Sequence, residues 1–478
     1  MLDNAPEVII IGGGPGGYEA ALTAAAAGAQ VTLVEDTGVG GASVLTDCVP
    51  SKALIATAEF RQRFEYADRM GVEFSEDDGD PTTKDPVRHG VEARIDLAAA
   101  NRRVMELAAA QSSDIASSLA QAGVTVIEGR GRLLGRDYVE VERADGSREP
   151  LRADTVLLAT GASPRVLPTA QPDGERILTW QQVWELTELP SKVVVVGSGV
   201  TGAELAHAYL GLGCEVVLVS SRDRVLPGED AEAAEVLETV FRERGMQVMN
   251  GARADTVERQ GDEVLVTLTD GRTVTGSHCI MAVGSVPNTE DLGLAEAGVQ
   301  TSESGHILVD KVSRTSARGI YAAGDCTAVL PLASVAAMQG RIAMSHALGD
   351  AVAPLRLGGV SSNIFTDPEI ATVGFGAKEQ REGAVGVNEI MLPLSANPRA
   401  KMRNLRHGFV KLFTTQGSDV IVGGVVVAPQ ASELIYPVAL AVQNRLTVNQ
   451  LTSTFTVYPS MSGSIAEAAR RLHSRDVD

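Results

Sequence analysis

Two stretches of the chain share one pattern of apolar and small residues. The first, "EVIIIGGGPGGYEAALTAAAAGAQVTLVE" from Glu7 to Glu35, opens on an apolar run, breaks at glycines, continues through alanines and closes on a second apolar run. Continuous short apolar runs mark strands buried on both faces, and the alanine stretch has helical length. The pattern therefore predicts strand, glycine turn, helix and strand. The second, "KVVVVGSGVTGAELAHAYLGLGCEVVLVSSRDR" from Lys192 to Arg224, repeats it. Between them, "SKALIATAEFRQRFEYA" from Ser51 has amphipathic periodicity, and the small-residue-rich "LAAANRRVMELAAAQSSDIASSLAQAG" from Leu97 reads as a long helix. "LLATGASP" (Leu157–Pro164), "MAVGSVPN" (Met281–Asn288) and "GIYAAGDC" (Gly319–Cys326) read as strand ends. "SEDDGDPTTKDPVRHG" (Ser75–Gly90), rich in acids and turn formers, reads as an exposed loop or insertion.

Length and charge narrow the class. At roughly 100–200 residues per domain, 478 residues imply about three domains. A net charge of −20, spread along the chain, argues against nucleic acid and anionic membranes as partners. No apolar run approaches the ~20 residues of a membrane span. The opening "MLDNAPEVIIIGGG" has no basic segment and reads as a first strand, not a signal peptide. Cys48, Cys214, Cys279 and Cys326 lie far apart with no C-x-x-C pair, so neither a disulfide framework nor a metal site is expected. The last three read as buried hydrophobes. These features point to a cytoplasmic protein.

The glycines carry the first chemistry. Gly12, Gly14 and Gly17 form G-x-G-x-x-G: one glycine for the tight turn, one for approach of a pyrophosphate, one for close helix–strand packing. The helix N-terminus behind them offers unpaired N–H groups to phosphate. Glu35, eighteen residues past Gly17, ends the second strand where a carboxylate can accept hydrogen bonds from a ribose. The second unit has Gly197, Gly199 and Gly202, but the acid's place is taken by Ser220. A serine does not demand a 2′-hydroxyl and does not repel a 2′-phosphate. Arg222 and Arg224 could attract that phosphate or be solvated loop charges, and Asp223 works against them. Both NADH and NADPH are allowed. Two dinucleotide units imply one cofactor that stays and one that visits, which suits a flavin reduced by a nicotinamide. Asp325, at the end of a short strand, could hold the ribityl hydroxyls of FAD.

Over nearly its whole length the chain resembles the flavoprotein disulfide reductases. The residues that carry the likeness are Gly12–Gly17 with Glu35, "CVPSK" at Cys48–Lys52, "ATG" at Ala159–Gly161 and the second fingerprint at Gly197–Gly202. "IYAAGDC", "FTDPEIATVG" (Phe365–Gly374), "NPRAK" (Asn397–Lys401) and "ASELI" (Ala431–Ile435) continue it. The resemblance implies an α/β fold with two Rossmann-like domains, for FAD and NAD(P), and a C-terminal α+β dimerisation domain. The implied order is 1–155 for FAD, 156–285 for NAD(P), 286–350 returning to the FAD domain and 351–478 for the interface of a homodimer. It also implies that Gly131, Asp325 and Ala333 line the FAD, with Thr160 and Gly284 among the cofactor-binding positions. Lys52 and Glu204 match a lysine–glutamate pair beside the flavin N5; each could instead be a solvated helix charge.

The pattern then breaks in two places. Family members of the disulfide-reducing kind read G-G-T-C-x4-C, but here Ser43 stands for the first cysteine and only Cys48 remains. One sulfur cannot attack and then resolve a mixed disulfide within a subunit. Near the C-terminus, "VYPSMSGSIAEAAR" has Tyr458 in place of a histidine before Pro459, and Gly463 where a glutamate is expected. A phenol donates a hydrogen bond at neutral pH and does not shuttle a proton to a dithiol.

Dihydrolipoamide dehydrogenase chemistry is therefore not expected. The sequence resembles the quinone-reducing branch of the family, with Ser43, Leu45 and, from the other subunit, Tyr458 facing a flat acceptor. The expected reaction passes a hydride from NAD(P)H to FAD and electrons directly to a quinone, in ping-pong fashion, with Cys48, Lys52, Glu204 and Tyr458 as catalytic candidates. Alternatives are a soluble transhydrogenase, suggested by "LASVAAMQGRIAM" (Leu332–Met344), and peroxide reduction through Cys48. A third is a non-catalytic flavin-bound subunit of a larger assembly, for which no linker or repeat speaks. Asp47 opposes a Cys48 thiolate and Lys52 favours one, so an inert thiol packed by the flavin also stands as a reading.

Overall fold

Glu7–Ile11 and Gln30–Glu35, the two apolar runs of the first repeat, lie side by side as parallel strands. In this computed structural model the described residues are 5–65, 67, 70–72, 93–376, 379, 383 and 386–473. The acidic stretch Ser75–Gly90 lies outside them. The first sheet is wholly parallel, in the order Ile320–Ala322, Thr155–Leu158, Glu7–Ile11, Gln30–Glu35 and Thr125–Glu128. Both faces are covered, which is why Val8, Ile9, Ile10 and Ile11 are all buried despite pointing alternately to either side. The expected boundary at 155/156 falls inside one of these strands. Thr155–Leu158 pairs with Glu7–Ile11, so the first nucleotide sheet keeps the chain past residue 155 before releasing it.

The glycine turn works as its spacing predicts. Gly12 has φ +101°, and a Cβ there would meet the Ala159 carbonyl oxygen at 2.3 Å; one on Gly17 would meet the Gly12 oxygen at 1.8 Å. The turn and the helix Pro15–Ala26 can therefore sit tight on the sheet only with glycine at both positions. The segment 286–350 returns to this domain in two ways. It supplies the edge strand Ile320–Ala322, and its helix Ala333–Ala347 packs on Pro15–Ala26, with Gly340 against the Gly16 backbone.

The second repeat builds a second parallel sheet, ordered Gln247–Met249, Glu215–Val219, Lys192–Val196, His278–Met281 and Ile177–Thr179. The antiparallel pair Ala162–Pro164 and Ser285–Pro287 lies where the chain passes between the two units. Helix Cys48–Glu65 of the first domain lies against helix Val200–Leu212 of the second, burying Leu54, Ile55 and Ala58 in one core with Ala203, Leu205 and Ala206. The C-terminal part is a five-stranded antiparallel sheet, Ser361–Ile364, Glu369–Gly374, Ile421–Ala428, Phe409–Thr415 and Val387–Pro393, backed by helices that include Tyr436–Gln443 and Gly463–His473. Cys214, Cys279 and Cys326 are buried free thiols and Cys48 is half-buried. Among the described residues no helix is long and apolar enough to cross a membrane.

Candidate active site

A cleft of about 1300 Å³ runs along the carboxyl ends of the first sheet's strands, where open α/β sheets take their ligands. Its wall collects Gly12, Gly14, Glu35, Gly131, Thr160, Asp325 and Ala333 from distant points of the chain, together with Ser43, Leu45 and Cys48. Gly14 is the N-cap of Pro15–Ala26 and has open space where a Cβ would lie, so a phosphate can reach the helix N-terminus. Glu35 is fixed at one end: Gly13 N–H donates to Oε2 at 2.5 Å, and the Thr37 N–H and hydroxyl donate to Oε1 at 2.7 Å. Each carboxylate oxygen keeps acceptor capacity for a ribose hydroxyl. The cleft's volume, the open glycine turn and the anchored acid fit FAD.

Beside the glycine turn the chain turns again at Gly40 and Gly41: the Gly40 N–H donates to the Gly13 carbonyl at 2.8 Å, and Ser43 donates to the Gly40 carbonyl at 3.0 Å. Asp47 follows, and Cys48 opens the long helix that carries Lys52 one turn on. Lys52 Nζ donates to Glu204 Oε2 at 2.8 Å, and the Phe365 N–H donates to Glu204 Oε1 at 2.9 Å. The Lys52 ammonium also lies 4.9 Å from the Phe365 ring centroid. Two parts of the chain thus converge on one buried carboxylate carried by a third. Burial works against the charge on Lys52, yet Glu204 holds the ammonium above its ordinary value. The ion pair is a built feature, not two solvated charges.

Cys48 is less reactive than its position suggests. Burial pushes the thiol up to about 12, Asp47 adds to the rise, and Lys52 only partly offsets it. The wall of the cleft holds no second sulfur among the described residues. Burial also raises the Asp325 carboxyl.

The second glycine turn is built like the first. Gly197 and Gly202 repeat the packing of Gly12 and Gly17, and Gly199 caps helix Val200–Leu212 with open space before it. Gly284, with φ +96°, stands at the crossing between domains and outside the cleft wall, where its carbonyl accepts the Arg165 N–H at 2.9 Å. Ser220 turns its hydroxyl inward. It is fully buried, takes a bond from the Ser198 hydroxyl at 2.7 Å, and donates within its own loop to the Arg222 and Arg224 carbonyls at 3.2 Å. Arg224 folds back onto that loop, 3.5 Å from the Pro227 and Glu229 carbonyls, whereas Arg222 and Asp223 are exposed.

Tyr458 lies outside the cleft of its own subunit, 81% exposed beside Phe455 and Val457. Thr160 spends its hydroxyl on the Asn288 carbonyl at 2.6 Å. Sequence reasoning missed Asn288, which lines the cleft, and Phe365, whose N–H holds Glu204. The phrase "FTDPEIATVG" was visible, but its contact with Glu204 spans 161 residues and is purely tertiary.

The chain belongs to the pyridine nucleotide-disulphide oxidoreductase family, whose model matches residues 6–340, with the family's dimerisation domain matching residues 360–469. Its cofactors are FAD and NAD(P)H, and it is an oxidoreductase. Among curated relatives it is 55% identical to the NAD(P)H dehydrogenase (quinone) of Mycobacterium tuberculosis, covering 98% of this chain and 94% of that protein. It is 30% identical to a dihydrolipoyl dehydrogenase of Bacillus subtilis, over 97% of this chain and 95% of that one. The crystal structure of LpdA from M. tuberculosis matches with a TM-score of 0.91 at 54% identity, covering 98% of this chain and 100% of that one. The flavoprotein disulfide reductase RclA of Escherichia coli matches in fold at 0.83 and 23% identity, over 98% of this chain and 100% of that one.

Proposed function

We infer that the protein is an FAD-dependent NAD(P)H:quinone oxidoreductase that reduces its acceptor without a dithiol relay. FAD, when bound, supplies two-electron chemistry between a nicotinamide and a second substrate. The chain's own residues bind and orient. Gly12, Gly14, Gly17, Glu35, Gly131, Thr160, Asp325 and Ala333 hold the FAD, while Gly197, Gly199, Gly202 and Arg222 receive the visiting nucleotide. Lys52 and Glu204 set the charge beside the flavin. Ser43 and Leu45 give the acceptor face a polar donor and apolar surface, which suits a flat quinone whose oxygen gains charge. A second subunit completes that face with Tyr458, in a homodimer formed through the C-terminal domain. Four free cysteines agree with a reducing, cytoplasmic setting.

The observation that carries this reading is the acceptor face itself: Ser43 where a resolving thiol is needed, and a Cys48 thiol pushed up to about 12. That thiol speaks equally against the peroxide reading, which needs a thiolate. The test is steady-state turnover of purified holoenzyme with NADH or NADPH against menadione, thio-NADP, hydrogen peroxide and lipoamide. Menadione is expected to be reduced fastest, with parallel-line kinetics. Rapid lipoamide turnover would overturn the reading.

A further inference from the structure

Asp47 stands at the meeting point of the two halves of the active site. It lines the main cleft with Ser43 and Cys48, and it also lines a cavity of about 10 Å³ with Ser51, Thr201 and Glu204. That is roughly the room for one water molecule. Its backbone is fixed on both sides: its N–H donates to the Ala42 carbonyl at 2.7 Å, and its carbonyl accepts the Ser51 N–H at 2.8 Å. The preceding Thr46 carbonyl accepts the Trp184 indole N–H at 2.8 Å. Among the described residues, no hydrogen bond reaches the Asp47 carboxylate.

We propose that Asp47 delivers the proton a quinone requires when it is reduced in this cleft. This rests on the quinone reading above and supplies the acid that the chain lacks at Tyr458 and Gly463. In the overall reaction NAD(P)H, one proton and a quinone become NAD(P)⁺ and a hydroquinone. The nicotinamide provides two electrons and one hydrogen. The remaining proton comes from Asp47: its carboxyl O–H bond breaks as an O–H bond forms on a quinone oxygen. The carboxylate left behind takes a proton back from solvent through the cleft.

The charged and titratable groups around Asp47 are Cys48 and Lys52 on the adjoining helix, Glu204 from the nicotinamide domain and Asp325 from the returning segment. Burial pushes the Asp47 carboxyl up to about 6; Lys52 opposes the rise, and Glu204 and Asp325 add to it. A general acid with a value near the working pH is suited to the task. Because the acid form is the donor, quinone turnover is highest below about pH 6 and falls as pH rises through it.

The test compares wild-type holoenzyme with Asp47→Asn and Asp47→Glu, using menadione, which takes up protons, and ferricyanide, which takes electrons alone. In Asp47→Asn the ratio of menadione to ferricyanide turnover should fall about a hundredfold and the pH step should vanish. Asp47→Glu should restore part of both. An infrared titration of the oxidised holoenzyme should show a carboxylic-acid band that is lost near pH 6, absent from Asp47→Asn and shifted in Asp47→Glu. The shift decides the matter even if the asparagine variant does not fold. An unchanged ratio and pH profile, or no such band, would overturn the Asp47 role alone. A wild-type enzyme that reduces ferricyanide but not menadione would overturn the quinone reading, and the Asp47 role with it.

Discussion

A thiol acts as a nucleophile only as its thiolate, and Cys48 lies in surroundings that suppress it. With the thiol pushed up to about 12, almost none of it is thiolate at pH 8. Iodoacetamide should therefore label Cys48 of the native protein far more slowly than the same residue after unfolding in guanidinium. Equally fast labelling, read by mass spectrometry, would contradict this. The loss of the partner thiol was legible at once, since Ser43 occupies a fixed place in a local motif. The reactivity of the thiol that remains was not, because it depends on burial and on charges from three segments. Ser220 makes the same point from the other side. Its position predicted the missing carboxylate, yet only the fold reveals that its hydroxyl is spent on Ser198 and on its own loop.

Elements were the most legible level. Both strand–turn–helix units fall where their glycines place them, and the helix from Cys48 and the helix Leu97–Gln121 follow their apolar spacing. What local sequence does not carry is which elements touch. Lys411, in the strand Phe409–Thr415, reads as an ordinary strand residue, yet its side chain is 1% exposed and its Nζ donates to Asp230 at 2.7 Å and Glu232 at 2.9 Å. Asp230 also caps the helix Ala231–Glu243 by accepting the Ala233 N–H. One ammonium thus ties the C-terminal sheet to the nicotinamide domain. Removing it strands a buried carboxylate, so Lys411→Ala should lower the stability of the fold by roughly 3–5 kcal/mol in denaturant unfolding. A loss below about 1 kcal/mol, typical of exposed pairs, would show that the cluster contributes little.

At the scale of the whole molecule, the order of domains was readable because each nucleotide unit has its own fingerprint and its own acid or serine. The expected boundary at 155/156 cuts the strand Thr155–Leu158, whose pairing partner lies about 150 residues earlier at Glu7–Ile11. Phe455, Val457, Tyr458 and Tyr436 are apolar or aromatic and highly exposed in the single chain, within the stretch matched by the dimerisation model. Exposed apolar surface of this kind marks sites of protein–protein contact, in keeping with the proposed homodimer. In the proposed reaction, electrons leave the active site without passing through sulfur. The direct measurement is an anaerobic dithionite titration of the purified holoenzyme, followed by absorbance. Full reduction at two electrons per subunit, those of the FAD alone, is the predicted result. Uptake of four electrons per subunit would require a reducible disulfide and would contradict the account.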